Sequence, residues 1–187
     1  MCSMKEERVL EAIKVILEEI GEDPNREGLK DTPKRVLNLF KEIYSGIGTD
    51  PKDELSAVFD EDHKEMVVVK DIPFHSMCEH HLVPFFGKVS IGYLPNGKVV
   101  GLSKLARLVE NVSRRVQVQE RMTTMIAEAI QEKLQPLGVI VVINAEHLCI
   151  SMRGIKKPGT ETATISARGV FSEDSNLKND FFQLLKL

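Results

Sequence analysis

Two short clusters, Cys78-Glu79-His80-His81 and His147-Leu148-Cys149, hold two of the chain's three cysteines and three of its five histidines. Soft sulfur and borderline nitrogen donors at that density are hard to explain without a metal ion, and Zn2+ is the ion that suits them. The spacing then constrains the fold. Cys149 lies 71 residues after Cys78, so remote segments must converge on one point. Cys-x-x-His places Cys78 and His81 on a single turn, and Cys149 supplies a third ligand. Three protein ligands with imidazoles to spare point to a catalytic site with an open position. The alternative is a closed structural site with His80 or His147 as fourth ligand.

Consecutive histidines cannot easily lean on one ion. His81 completes Cys-x-x-His, which leaves His80 free for proton transfer near neutral pH. The run 148–152 reads as a strand, so His147 and Cys149, two residues apart, are expected on one face with Leu148 turned to the core. His63, in a run of charges, reads as a solvated surface residue, and Cys2 as an exposed terminal thiol.

The rest of the composition narrows the class. The chain has 187 residues and 21.0 kDa, with 42% hydrophobic residues, enough for one ordinary core. A net charge of −3 and a sequence pI of about 6.0 argue against a general nucleic-acid binder. An odd number of cysteines does not make a disulfide framework, and thiols kept for metal binding fit a cytoplasmic protein. The first seven residues contain no apolar stretch, so no secretory signal is expected. The apolar run 139–143 is too short to cross a membrane.

Apolar residues at Val9, Ile13, Leu17 and Ile20 predict a helix over 5–20, with Gly21 as its stop. Asp31-Thr32-Pro33 opens a second helix with Thr32 as cap and Val36, Leu37, Phe40 and Ile43 inward. Residues 45–52 read as a loop. Strands are expected over 66–69 and 86–94, and Pro95-Asn96-Gly97 as a hairpin turn into 98–101. Ser103 is expected to cap a helix that buries Leu105, Leu108, Val109 and Val112. A longer helix follows over about 117–135, then strands over 138–145, 148–152 and 162–171, and a last helix over 174–187. That order indicates an α+β fold with a largely antiparallel sheet.

Lys104 and Arg107 fall on one side of the helix that opens at Ser103. Cations there oppose the helix dipole, and a bound anion would reverse that penalty. A solvated basic face is the plainer reading, and Arg153 and Arg35 could join either arrangement. Glu120, beside Gln119 in Gln119-Glu120-Arg121, reads locally as an ordinary first-turn acid.

These segments together resemble the GTP cyclohydrolase I family. The resemblance rests on 31–36 (Asp-Thr-Pro-Lys-Arg-Val), 76–85 (Ser-Met-Cys-Glu-His-His-Leu-Val-Pro-Phe) and 101–107 (Gly-Leu-Ser-Lys-Leu-Ala-Arg). It continues through 117–121 (Gln-Val-Gln-Glu-Arg) and His147-Leu148-Cys149 with Arg153-Gly154. They stand in the family's order and spacing from about residue 5 to the C-terminus, and the cysteine-histidine stretch is highly specific. His75, Ser90, Val116 and Arg168 depart from the commonest pattern, and none of them is a proposed ligand.

The resemblance implies a zinc enzyme that turns GTP and water into 7,8-dihydroneopterin triphosphate and formate. It implies Cys78, His81 and Cys149 as zinc ligands, His80 as the main acid/base and His147 as a second histidine near the metal. Glu120 with Gln119 would recognise guanine, and Ser103, Lys104, Arg107, Arg153 and Arg35 would hold ribose and triphosphate. It further implies the tunnelling fold: an antiparallel sheet with helices on one side, in a catalytic domain over 51–187 that follows a helical segment over 1–50. Such units are expected to form a homo-oligomer, a decamer with active sites between subunits. A tunnelling-fold nitrile reductase would instead need a thiol nucleophile and a nicotinamide site. A non-catalytic guanine-nucleotide binder with a structural zinc is the other rival.

Overall fold

Helical spacing at the N-terminus yields two packed helices, α1 (Glu6–Glu19) and α2 (Thr32–Ile43). The computed structural model describes residues 5–187, so Cys2 lies outside the described residues. Pro33 and Leu37 are the buried residues of α2. Thr32 is its first helical residue rather than its cap. Asp31 holds the cap position, without a side-chain hydrogen bond. The loop that follows contains a 3₁₀ turn, Pro51–Glu54, whose Lys52 N–H donates to the Asp50 side chain at 3.0 Å. Gly46 ties this region to the body: its N–H donates to the Arg114 carbonyl at 3.0 Å, and a Cβ there would sit 2.1 Å from the Asn111 carbonyl oxygen.

The chain then builds β1 (Val58–Asp60), β2 (Val67–Cys78), β3 (Pro84–Leu94), β4 (Lys98–Val100), α3 (Leu102–Ser113), β5 (Val116–Gln117) and α4 (Gln119–Leu134). It ends with β6 (Gly138–His147), α5 (Leu148–Ser151), β7 (Glu161–Gly169), α6 (Val170–Glu173) and α7 (Ser175–Leu185). The main sheet has five strands in the order β5-β2-β3-β6-β7, antiparallel except for the β2–β5 pair. An α+β fold with a largely antiparallel sheet is what the sequence pattern required.

The strand expected over 66–69 continues as β2 to Cys78, and β3 starts two residues early at Pro84; three further differences have local reasons. Strand β4 does not form a hairpin with β3, because β3 is already paired on both edges by β2 and β6. It pairs with β1 in a separate two-stranded sheet. The strand expected over 148–152 is instead the helical turn α5. Phe85 pairs with His147, so a continuing ladder would set Leu148 opposite Pro84, which has no N–H to give. Finally, β7 stops at Gly169, where φ is +58° and a Cβ would lie 2.1 Å from the Leu137 carbonyl oxygen.

Alternation along the strands creates two cores. Phe74, Phe85, Val89, Ile91, Val141 and Ile143 face α3 and α4, where Leu105, Leu108, Met122, Ile126 and Ile130 are fully buried. On the opposite side, Ile140 and Val142 meet Phe171 of α6 and Phe181 of α7. The sheet thus carries helices on both faces rather than on one side as the resemblance implies, because the continuous apolar run of β6 presents buried residues to both. Asp174 starts α7 by accepting from the N–H groups of Asn176 and Leu177 at 2.8 and 3.2 Å. The outer edge of β7 stays unpaired among the described residues, with Ile165 58% exposed.

Candidate metal centre

Cys78 ends β2, and its backbone closes the loop that follows. Its N–H donates to the Val83 carbonyl at 2.9 Å, and its own carbonyl accepts from Leu82 at 2.9 Å. Closing so tight a loop drives Leu82 to φ +51°, a left-handed conformation that costs a non-glycine residue about 1–3 kcal/mol. The loop turns His81 back toward Cys78, and α5 brings Cys149 up from the end of β6. The three donor atoms of Cys78, His81 and Cys149 lie within 4.8 Å of one another. Zn–S bonds of about 2.3 Å and Zn–N bonds of about 2.0–2.1 Å fit that spacing after small rotamer adjustments. The residues therefore fit a metal ion.

The electrostatics agree with the donor set. Burial and the adjacent Cys78 sulfur push the Cys149 thiol above its ordinary value, against a weaker opposite pull from the Arg153 charge. Arg153 places Nη1 3.1 Å from Nε2 of His81. A guanidinium only donates, so that His81 nitrogen presents a lone pair.

His80 is not one of the three converging donors, though it lies beside Cys78. Its ring makes an angle of 82° with that of His81 at a centroid separation of 6.4 Å, and it is exposed to solvent. Its Nδ1 lies 3.9 Å from Cys78 Sγ and its Nε2 4.0 Å from Glu79 Oε1.

His147 is the last residue of β6, and the ring of Phe85 stacks on it at 4.7 Å and 1°. The strand periodicity expected to set it beside Cys149 does not operate, because Cys149 belongs to α5. Its Nε2 is instead 2.8 Å from Oε1 of Gln119. Gln119 is only 1% exposed, and its amide nitrogen donates to the carbonyls of Ile143 at 3.0 Å and Thr162 at 2.9 Å. The amide oxygen is thereby turned to His147, and an amide oxygen only accepts. His147 therefore carries a hydrogen on Nε2, and its neutral form, which burial favours, keeps Nδ1 as a lone pair. Burial lowers its pKa, and the Glu120 charge pulls the other way. Gln119 and Glu120 are neighbours with opposite fates: Gln119 is sealed inside, and Glu120 is exposed in the first turn of α4.

The remaining residues singled out from sequence are dispersed. Ser103 does not cap α3. Gly101 occupies that position, and Ser103 lies exposed in the first turn with Lys104 half-buried beside it. Arg107 lines a polar cavity of about 550 Å³ with Glu42, Glu54 and Glu110. Arg35 lies 3.7 Å from Asp31 on α2. Among the described residues no hydrogen bond or ion pair joins these four to the metal group, and Arg153 alone of the expected anion ligands touches it. A larger, mostly apolar cavity of about 820 Å³ between α2, β2 and α3 contains none of the three donors. Sequence reasoning missed the Phe85 stack and the lock on the Gln119 amide. Phe85 falls just outside the strand expected over 86–94 and is marked only as the end of the 76–85 segment, and no local signal marks the carbonyls of Ile143 and Thr162.

Comparison with known proteins agrees with the geometry. The family model described as GTP cyclohydrolase I matches residues 9–186. A relative named GTP cyclohydrolase 1 from Halalkalibacterium halodurans is 55% identical over 187 residues, covering 100% of both chains. A relative of that name from Geobacillus kaustophilus is 58% identical over 176 residues, 94% of each chain. A third from Bacillus subtilis is 54% identical across 100% of this chain and 98% of its own.

Proposed function

The chain belongs to the GTP cyclohydrolase I family, and on that premise we infer that it is a hydrolase of pterin and folate biosynthesis. It converts GTP and water into 7,8-dihydroneopterin triphosphate and formate. The observation that carries this reading is the convergence of Cys78, His81 and Cys149 within 4.8 Å in a chain of this family. We assign Zn2+ to that group on the chemistry of two sulfurs and one imidazole. Zinc would supply a water acidic enough to act as a nucleophile at neutral pH.

The protein's own residues bind the substrate and move protons. Glu120 accepts from the N1–H and 2-amino group of guanine, which present two donors side by side. Adenine would leave that carboxylate unpaired, a penalty of about 1–3 kcal/mol. Gln119 acts from behind, holding His147 with Nδ1 open. His80 protonates the imidazole nitrogen of the purine, which makes C8 electrophilic and lets the ring-opened amine leave. One water adds at C8 and a second releases formate from the formamide. A third is lost when the rearranged ribose carbonyl condenses with the freed amine, so the net uptake is one. His147 and the Ser103 hydroxyl serve proton transfer in that rearrangement, and Lys104, Arg107, Arg153 and Arg35 hold the triphosphate.

Those phosphate ligands are dispersed on one chain, and β7 keeps an open edge. Both observations support a homo-oligomer with sites between subunits; we take it to be a decamer, as the family resemblance implies, and place the protein in the cytoplasm on its reduced metal-binding thiols. No helix among the described residues is long and apolar enough to cross a membrane. The deciding experiment incubates purified protein with GTP and follows formate and the pterin chromophore before and after zinc is stripped and restored. Zinc-dependent formate release is expected. Zinc-loaded protein that binds GTP yet releases no formate would mean a non-catalytic nucleotide binder.

A further inference from the structure

Between the metal loop and the first turn of α4 lies an ion pair that none of the steps above uses. Arg121 sets Nη1 2.6 Å from Oε2 of Glu79 and Nη2 3.3 Å from Oε1, a flat guanidinium meeting a flat carboxylate at two points. Glu79 stands in the chain between the metal donor Cys78 and His80, and Arg121 directly follows Glu120. The same two segments are joined by backbone as well. The Glu79 N–H donates to the Gln117 carbonyl at 3.0 Å, and the β2–β5 ladder pairs Met77 with Val116 and Cys78 with Gln117.

We propose that Glu79 and Arg121 are a positioning pair that fixes the metal loop against the first turn of α4 and so sets the span between the metal group and Glu120. The proposal rests on the function inferred above. Guanine is rigid, and its C8 and its N1/2-amino edge lie at opposite ends of the fused rings. A protein that grips one end and attacks the other must hold the two sets of groups at a fixed separation. A misplacement of about 1 Å can cost roughly 10²-fold in rate.

The plain alternative is an ordinary surface pair. Arg121 and Glu79 remain about half and one-third exposed, and pairs of that kind add little to stability. Three features set this one apart: the two-point geometry, the parallel backbone ties, and His80 Nε2 at 4.0 Å from the same carboxylate. A role in positioning predicts an effect on turnover rather than on stability. It also predicts that charge alone is insufficient, because lysine lacks the fork.

The test uses full-length zinc-loaded protein with Arg121→Lys, Arg121→Gln and Glu79→Gln. It reads kcat and KM for GTP, zinc per chain, Tm, and the visible absorption of the Co2+-substituted protein. Arg121→Gln and Glu79→Gln are expected to lose ~10–10²-fold in kcat with KM, zinc content and Tm little changed. Arg121→Lys should fall between Arg121→Gln and wild type, and the cobalt bands should shift in all three as the donor loop relaxes. Wild-type kcat in Arg121→Gln, or a loss that tracks only zinc content or Tm, overturns the proposal. If the wild-type protein itself releases no formate, the functional reading fails instead. In that case unchanged cobalt bands would overturn the positioning role and shifted bands would support it.

Discussion

Strand β3 passes through two environments that treat polar groups in opposite ways. At its start, Phe85 lies flat against His147, and the loop just before it holds Leu82 in a left-handed conformation, turns His81 toward Cys78 and leaves both His80 and His81 exposed. Near its end, Tyr93 is 1% exposed and its hydroxyl accepts from the Val100 N–H at 3.3 Å, inside the core that α3 and α4 cover. The far end closes its polar group with an internal partner. The metal end leaves lone pairs and charges facing outward and carries backbone strain. Strain retained beside unsatisfied donors is the pattern of a site that expects a ligand.

If the two ends are independent, damage at one should leave the other intact. The largest effect is expected from Cys149→Ser. It should remove bound zinc and with it essentially all formate release, while thermal unfolding stays cooperative. Metal analysis and calorimetry on the same sample check this. Retained zinc would mean that the three-donor group is not the binding site. His80→Ala is next: zinc and GTP binding persist, and turnover falls ~10²–10⁴-fold, the usual range for one proton-transfer group. Zinc loss in that variant would make His80 a ligand in spite of its exposed ring.

Ile126→Ala attacks the other end. The side chain is fully buried in α4, and truncation should cost about 2–5 kcal/mol of stability. Urea unfolding at fixed protein concentration measures the loss, since assembly makes apparent stability concentration-dependent. Well below the unfolding transition, kcat and zinc content should match wild type. A kcat that falls in step with stability would show that the core and the metal loop move together.

These expectations separate what could be read in the sequence from what could not. Local chemistry was readable. Cys-x-x-His forces a turn, apolar runs mark β3, β6 and the first residues of β2, and helical spacing forces α3 and α4. Relations between segments were not. Nothing local to 98–101 reveals that β3 has no free edge, so the hairpin expected there gives way to a pairing of β4 with β1. Nothing local to 148–152 reveals that its ladder partner would be a proline, so the strand expected there gives way to the helical turn that carries Cys149. The triplet Gln119-Glu120-Arg121 shows the limit most clearly. As sequence it is an ordinary polar helix start. In the fold its members diverge to a buried lock on His147, an exposed carboxylate and a tie to the metal loop. Burial and register made that difference, and both depend on residues 24 to 45 positions away from Gln119.

The smallest effect tests the closed end alone. Burial raises the Tyr93 pKa above its ordinary value of 10.0, against a weaker opposite pull from the Val100 N–H. In the unfolded chain the phenol ionises at its ordinary value, and in the folded protein it stays neutral. Its contribution is therefore complete below pH 10.0 and declines as pH rises from there toward the folded-state value. The slope approaches about 1.4 kcal/mol per pH unit at most, one proton's worth. Tyr44, whose pKa burial also raises, adds its own alkaline slope, so the informative quantity is the difference between wild type and Tyr93→Phe. The variant should lose about 1 kcal/mol at neutral pH from the missing hydrogen bond. Above pH 10 the gap should narrow, because only the wild type then carries the cost of keeping a phenol neutral. Unfolding free energies measured at pH 7 and across the alkaline limb decide it. A gap that stays constant with pH would mean that Tyr93 ionises as readily in the folded protein as in the unfolded chain, and that the far end of β3 is less closed than its burial implies.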